Sequence, residues 1–201
     1  RYIVSMIDKF SRYCLLIPVK DIKTITIIKA YERWISLFGP PKQLLSDNGS
    51  QFISRMFRNY TKSQNTKQRF STPYYPECNG QIERLHRWIK ERLTLISIDL
   101  GVNFVDGNDD WSQYIYLIQH AYNSTPNTMT KYSPNKIVLG RDCKIILDEL
   151  DEKEIRASTP SEYIRMMNNN RRIIQNNAND QQIKYDAFRA KSYNKDRAQE
   201  M

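Results

Sequence analysis

Two acidic residues stand where acids can do chemistry. Asp47 closes the apolar stretch Leu44-Leu45-Ser46 and is followed at once by Asn48-Gly49. A carboxylate therefore sits where a strand ends and the chain turns. Such a group can cap the turn by accepting backbone N–H groups, or it can hold a divalent cation at the edge of a sheet. Glu83 lies near the start of a long helical stretch whose apolar stripe takes Ile82, Leu85 and Ile89. It points to another face, with Arg87 four and Lys90 seven residues further on. That face can be a solvated Glu–Arg pair, or basic groups beside a carboxylate that hold phosphates. Residue types alone leave these alternatives open.

The elements that must position the two acids are readable from period and punctuation. Residues 2–8 and 12–19 are short β-branched and aromatic runs joined by Lys9-Phe10-Ser11, which predicts a hairpin. Residues 24–39 carry Ile27, Ile28, Tyr31, Trp34, Ile35 and Phe38 at helical spacing, and Gly39-Pro40-Pro41 stops them. A strand at 42–46 follows, then a helix from Phe52 to Gln64 with Phe52, Met56, Phe57 and Tyr60 on one face, then a strand at 66–71. Residues 72–80 form a loop with two prolines and Asn-Gly. The long helix begins near Gln81 and carries Ile82, Leu85, Ile89, Leu93 and Ile96. A helix from Trp111 to Asn123, a turn-rich connection and a short helix at Pro134–Gly140 come next. Residues 151–201 are polar and read as an extended helix that docks on something outside the chain. Alternation of strands and helices predicts an α/β fold with a mixed sheet, and Asp47 falls at a strand end where such folds place their sites.

Composition narrows the function classes. The 201 residues are 40% hydrophobic and 26% charged, as expected for a globular chain, and no apolar run is long enough to cross a membrane. The net charge of +9 is that of a chain with a polyanionic partner or of a merely basic globular protein, and charge alone leaves both open. The three cysteines, Cys14, Cys78 and Cys143, are far apart and form no CxxC pair with the two histidines, so neither a disulfide framework nor a zinc site is expected. They read as reduced thiols of an intracellular protein.

Asp47 and Glu83 have 35 residues between them, inside the text "SDNGSQF … PYYPECNGQIERLHRWIK", and "AYNSTPNTMTKYSPNKIVLGR" follows. In these three separated motifs the chain resembles the integrase catalytic core of gypsy-type LTR retrotransposons and the retroviral integrase family. The resemblance covers residues 1–142, with 143–201 as a polar, partly helical linker. It implies a ribonuclease-H-like mixed sheet flanked by helices, lacking here its first, central strand, and a helical C-terminal extension. It also implies metal-dependent 3′-end processing and strand transfer by the parent protein. The chemistry fits the residue types, because Mg²⁺ or Mn²⁺ prefers carboxylate oxygens. Two such ions, about 3.5–4 Å apart, can stabilise the attacking and leaving oxygens of a phosphodiester displacement.

On this reading Asp47 and Glu83 are metal ligands. Asn48, Tyr74, Gln81, Arg84, Arg87 and Lys90 contact DNA, both element ends and target duplex. The parent is expected to be a nuclear homo-oligomer. The third carboxylate of the family lies on the first strand, which would precede Arg1. Asp8 matches instead the turn between the second and third strands, where its carboxylate caps backbone N–H groups. The chain as given is therefore expected to be inactive alone. The rival reading is a non-catalytic DNA-binding or assembly module of the same fold. His86 is given no catalytic role.

Overall fold

The computed structural model describes residues 1–71, 80–104, 110–143 and 159–199. These fall into two units. One comprises residues 1–7 and 15–119, the other residues 8–14 and 120–201.

The first unit is built on strands and the helices that cover them. Strand β1 (Tyr2–Ile7) pairs with β2 (Cys14–Val19), and β3 (Gln43–Ser46) pairs in parallel with β4 (Lys67–Phe70). Among the described residues these are two separate ladders, with no pairing between β1 and β3. Helix α1 (Thr24–Phe38) buries Ile27, Ile28, Ala30 and Tyr31. Gly39, at φ 75°, ends it by sending its N–H to the Ile35 carbonyl, and Pro40-Pro41 prevents continuation.

The expected single helix over 52–64 is two. Helix α2 (Ser50–Ile53) stops at Ser54, whose extended backbone breaks the run, and α3 (Arg55–Ser63) starts there. The Ser54 hydroxyl accepts the Phe57 N–H at 3.2 Å, a cap that satisfies one of the orphan donors of the new helix. The break rotates the faces. Met56, expected inside, is 56% exposed, whereas Phe57 is 1% exposed.

Phe57 is the centre of the core. With Ile27 and Ile28 it gathers Val4 of β1, Leu44 of β3, Phe52 and Tyr60. The rings meet edge-on or tilted: Phe52–Phe57 centroids are 5.6 Å apart, Tyr31–Phe57 6.1 Å and Tyr31–Tyr60 6.2 Å. Tyr31 keeps its hydroxyl satisfied against Thr66 Oγ1, which donates in turn to the Pro41 carbonyl at 2.8 Å. Helix α4 (Gly80–Leu100) packs on β1, and its Leu85 and Ile89 are buried, as the stripe predicts. A 3₁₀ turn (Trp111–Tyr114) leads into α5 (Ile115–Ser124), whose Gln119 accepts the Leu16 N–H at 2.7 Å.

In the second unit Asp8 has the turn role expected of it. Its Oδ2 accepts both the N–H and the hydroxyl of Ser11 at 2.7 Å. Arg12 follows at φ 64°, and its buried guanidinium donates to Gln182. Asn123 brackets Cys14 through both backbone groups, at 2.9 Å each, and burial pushes the Cys14 thiol up to about 12, so it is protonated and inert. Cys143 is likewise an unbridged thiol, and Cys78 lies outside the described residues.

The polar tail, expected to dock outside the chain, instead packs on the short helix before it. Helix α6 (Pro134–Leu139) opens with Ser133 accepting the Lys136 N–H and Pro134 in its first turn, and closes on Gly140 in the left-handed conformation, φ 77°. A Cβ on Gly140 would lie 3.0 Å from Arg171 Cβ and 3.1 Å from the Met167 carbonyl, both on α7 (Pro160–Gln199). Gln175 donates to the Ile137 carbonyl, and Ala178 is fully buried. Small residues let α7 approach here although its apolar residues are sparse.

Gly101 gives an internal control. It is also left-handed, φ 63°, but has nothing within 4 Å of a built Cβ. Gly101→Ala should cost about 1–2 kcal/mol, the conformational penalty alone. Gly140→Ala should cost more, with α7 becoming the first segment cut in limited proteolysis. Equal losses in thermal unfolding would mean α7 is not held by this approach.

Candidate metal centre and DNA interface

The parallel register places the first acid. Leu44 pairs with Gln68 and Ser46 with Phe70. The ladder runs one bond further, from the Ser71 N–H to the Ser46 carbonyl at 2.9 Å. Both chains therefore leave the sheet at the same edge, and Asp47 is the first residue beyond it. Asp47 Oδ1 accepts the Gly49 N–H at 3.0 Å, and the Asn48 amide donates to the Ser71 carbonyl at 3.3 Å. This latch ties the Asp47 turn to the end of β4. Asp47 is exposed, and its second oxygen has no hydrogen-bond partner among the described residues. The turn-capping and ligand alternatives are thus compatible, since one oxygen holds the turn and the other is open to solvent.

Gly49 is a glycine because of closeness, not of dihedral angle. Its φ is −56°, which any residue adopts. A Cβ there would lie 3.0 Å from Asp47 Oδ1 and 2.4 Å from Gln51 Nε2. Gln51 can swing away, but the carboxylate would have to turn.

Glu83 is in the first turn of α4, where a negative charge complements the helix dipole. Glu83, Arg84, Arg87 and Lys90 are exposed, while Leu85 and Ile89 anchor the opposite face. The solvated Glu83–Arg87 pair is not formed. The ion pairs among the described residues are Arg1–Asp110 and Lys136–Asp142. Arg87 and Lys90 border one open depression with Glu91, Thr94 and Leu95. Burial holds the His86 pKa below the usual imidazole range; the Lys90 charge adds to this and Glu83 opposes it. Gln81 is half-buried, and Tyr74 lies outside the described residues. Among the described residues no three His, Cys, Asp or Glu side chains converge as a complete metal site. Asp47, one residue past β3, and Glu83, in the first turn of α4, would each offer a hard carboxylate oxygen to a divalent ion. The Asn48–Ser71 latch is not readable from the sequence, because it depends on cross-strand register, and the closeness of Gly49 to Asp47 depends on the local geometry of the turn.

Residues 1–76 match the family model of the integrase core domain. Asp47 falls inside this span and Glu83 beyond it. The Pro-Pol polyprotein of feline foamy virus is 31% identical over 144 residues, 72% of this chain and 12% of that protein. The chain carries an integrase-family core. The Tf2-3 transposon polyprotein of Schizosaccharomyces pombe is 28% identical over 135 residues, 66% of this chain and 10% of that protein. The chain thus spans 12% or less of the length of these curated relatives. In structure it resembles the HTLV-2 integrase catalytic core domain solved in complex with magnesium, with a TM-score of 0.54 at 22% identity, covering 66% of this chain and 80% of that one. It also resembles the simian T-cell lymphotropic virus intasome in complex with the PP2A regulatory subunit B56 gamma, with a TM-score of 0.58 at 17% identity, covering 79% and 58%. The fold of this integrase core is ribonuclease-H-like.

Gly49→Ala should leave stability within about 0.5 kcal/mol of the parent, because its backbone conformation is unstrained. It should weaken Mn²⁺ binding, because the added methyl turns the Asp47 carboxylate. Calorimetric titration against a thermal melt separates the two effects. Unchanged Mn²⁺ affinity would remove Asp47 from the metal site.

Proposed function

We propose that this core serves DNA integration in a longer parent protein, by metal-dependent 3′-end processing followed by strand transfer. The observation that carries the reading is Asp47, an exposed carboxylate on a rigid strand end with one oxygen held by its own turn and the other open. Asp47 and Glu83 are the two ligands this chain contributes to Mg²⁺ or Mn²⁺. Ions bound there would stabilise the attacking and leaving oxygens of an in-line phosphodiester displacement. Asp47 and the latch through Asn48 fix where the reacting phosphate lies. Gln81, Arg84, Arg87 and Lys90 on α4 hold neighbouring phosphates by charge and hydrogen bonding. Tyr74 completes the DNA contacts. The parent works as a homo-oligomer in the nucleus, where target DNA is.

The third carboxylate belongs, on this reading, to a parent strand that pairs with β1 and β3. Asp8 is read instead as the turn residue of the β1–β2 hairpin, its Oδ2 accepting from Ser11. The chain 1–201 alone is then inactive. The second reading is a non-catalytic DNA-binding or assembly module, which shares this fold and its charge.

Joining of a labelled oligonucleotide to plasmid DNA tests both. The polypeptide extended upstream by one strand should join DNA with Mg²⁺ or Mn²⁺, and residues 1–201 should not. Asp47→Asn and Glu83→Gln should each lower joining by more than the roughly 10–100-fold that loss of a second-shell partner costs. DNA binding without joining by the extended protein would favour the assembly module. Robust joining by residues 1–201 would contradict the ligand assignment and return Asp8 to the site.

A further inference from the structure

The positive charge of the chain is concentrated beside Asp47. From Asn48 to Ser71 the chain leaves the strand edge, passes through α2, α3 and β4, and returns to the same edge. That stretch holds Arg55, Arg58, Lys62, Lys67 and Arg69 and no Asp or Glu, five of the net +9. Arg58, Lys62 and Lys67 open onto one depression of about 530 Å³ between α3 and β4. Arg58 and Lys62 are one helical turn apart, and Lys67 begins β4. Asn65, left-handed at φ 54°, contributes an amide to the same wall. Phe70 closes one end, with the Arg58 guanidinium 5.8 Å above its ring centroid.

Among the described residues no acid lines this depression and none of the three cations is in an ion pair. Three like charges around one concavity repel one another, and the concave walls focus their field outward. One isolated carboxylate cannot answer three separated cations, but a regular row of phosphates can. The direction of β4 supplies the spacing. Phe70 is paired with Ser46, next to Asp47, and Lys67 is at the far end of the strand. At about 3.3 Å per residue the depression runs roughly 10 Å back from the Asp47 edge. That length matches the axial rise of about three nucleotides of duplex DNA.

We propose that the α3–β4 depression is a second DNA-backbone site, which holds phosphates of the same DNA a few nucleotides from the one at Asp47. The inference rests on the DNA reading above and deepens it. It is separate from the α4 cations, so the two can be tested apart.

The test is binding of the intact chain to a short duplex of arbitrary sequence across a salt series. Lys62→Gln/Lys67→Gln leaves the Arg58–Phe70 stacking in place, and a thermal melt confirms that the variant is folded. Each lost phosphate contact should flatten the plot of log affinity against log salt by about 0.9, so this variant should lose close to 2 from the slope. Adding Arg58→Gln should lose close to 3. Lys90→Glu is the α4 comparison. Weaker binding in Lys90→Glu alone overturns the α3–β4 site and leaves the DNA reading standing. No change in any variant overturns both. If the double variant loses poly-glutamate binding while its DNA binding is unchanged, the depression receives an acidic protein and the proposal fails.

Discussion

The structure of the site depends on one constraint: β3 and β4 run parallel and end together. A parallel pair cannot be closed by a tight turn, so the chain must cross over through a helix and return to the same edge. Here α2 and α3 make that crossing. The Ser71-to-Ser46 bond then fixes both exits, and the Asn48 amide closes the edge on the Ser71 carbonyl. A carboxylate one residue past such an edge has little freedom. That is what a metal ligand requires, since a ligand must be held within tenths of an ångström by groups that do not themselves move.

The crossover is held down by aromatic packing. Phe57, at 1% exposure, touches the layer formed by Ile27 and Ile28 and is flanked by Val4, Leu44 and Phe52. β1 and β3 do not pair among the described residues, yet Val4 and Leu44 lie on the same apolar cluster. One helical layer therefore supports both ladders. The same economy governs α4: Leu85 and Ile89 fix the helix on its buried side, so that Glu83, Arg87 and Lys90 are displayed by the rigid element they ride on.

The positions of Asp47 and Glu83 in their elements were more legible in the sequence than the packing was. Asp47 and Glu83 are legible because carboxylates at a strand end and in a first helical turn are placed by elements with strong local signals. Leu85 and Ile89 are legible because the 3.6-residue period is sustained over a helix of 21 residues. The break at Ser54 is not legible by period, since Phe52, Met56, Phe57 and Tyr60 fit a single helical face. Only the cap geometry of Ser54, a competition between its hydroxyl and the continuing helix, decides it. The docking of α7 is hidden for a different reason. Its contacts with α6 use Gly140, Ala178 and amide side chains rather than an apolar stripe, so composition reads it as unpartnered. Tyr74 and the loop around it lie outside the described residues.

The central claim is that Asp47 and Glu83, far apart in the chain, serve one metal centre. Paramagnetic broadening by Mn²⁺ tests this directly. In an amide spectrum of the folded protein, the resonances of Asn48 and Gly49 and those of Glu83 and Arg84 should fade together, at the same Mn²⁺ concentration. Asp47→Asn should spare both sets. Broadening of one set without the other, or at a clearly different Mn²⁺ concentration, would contradict a shared centre.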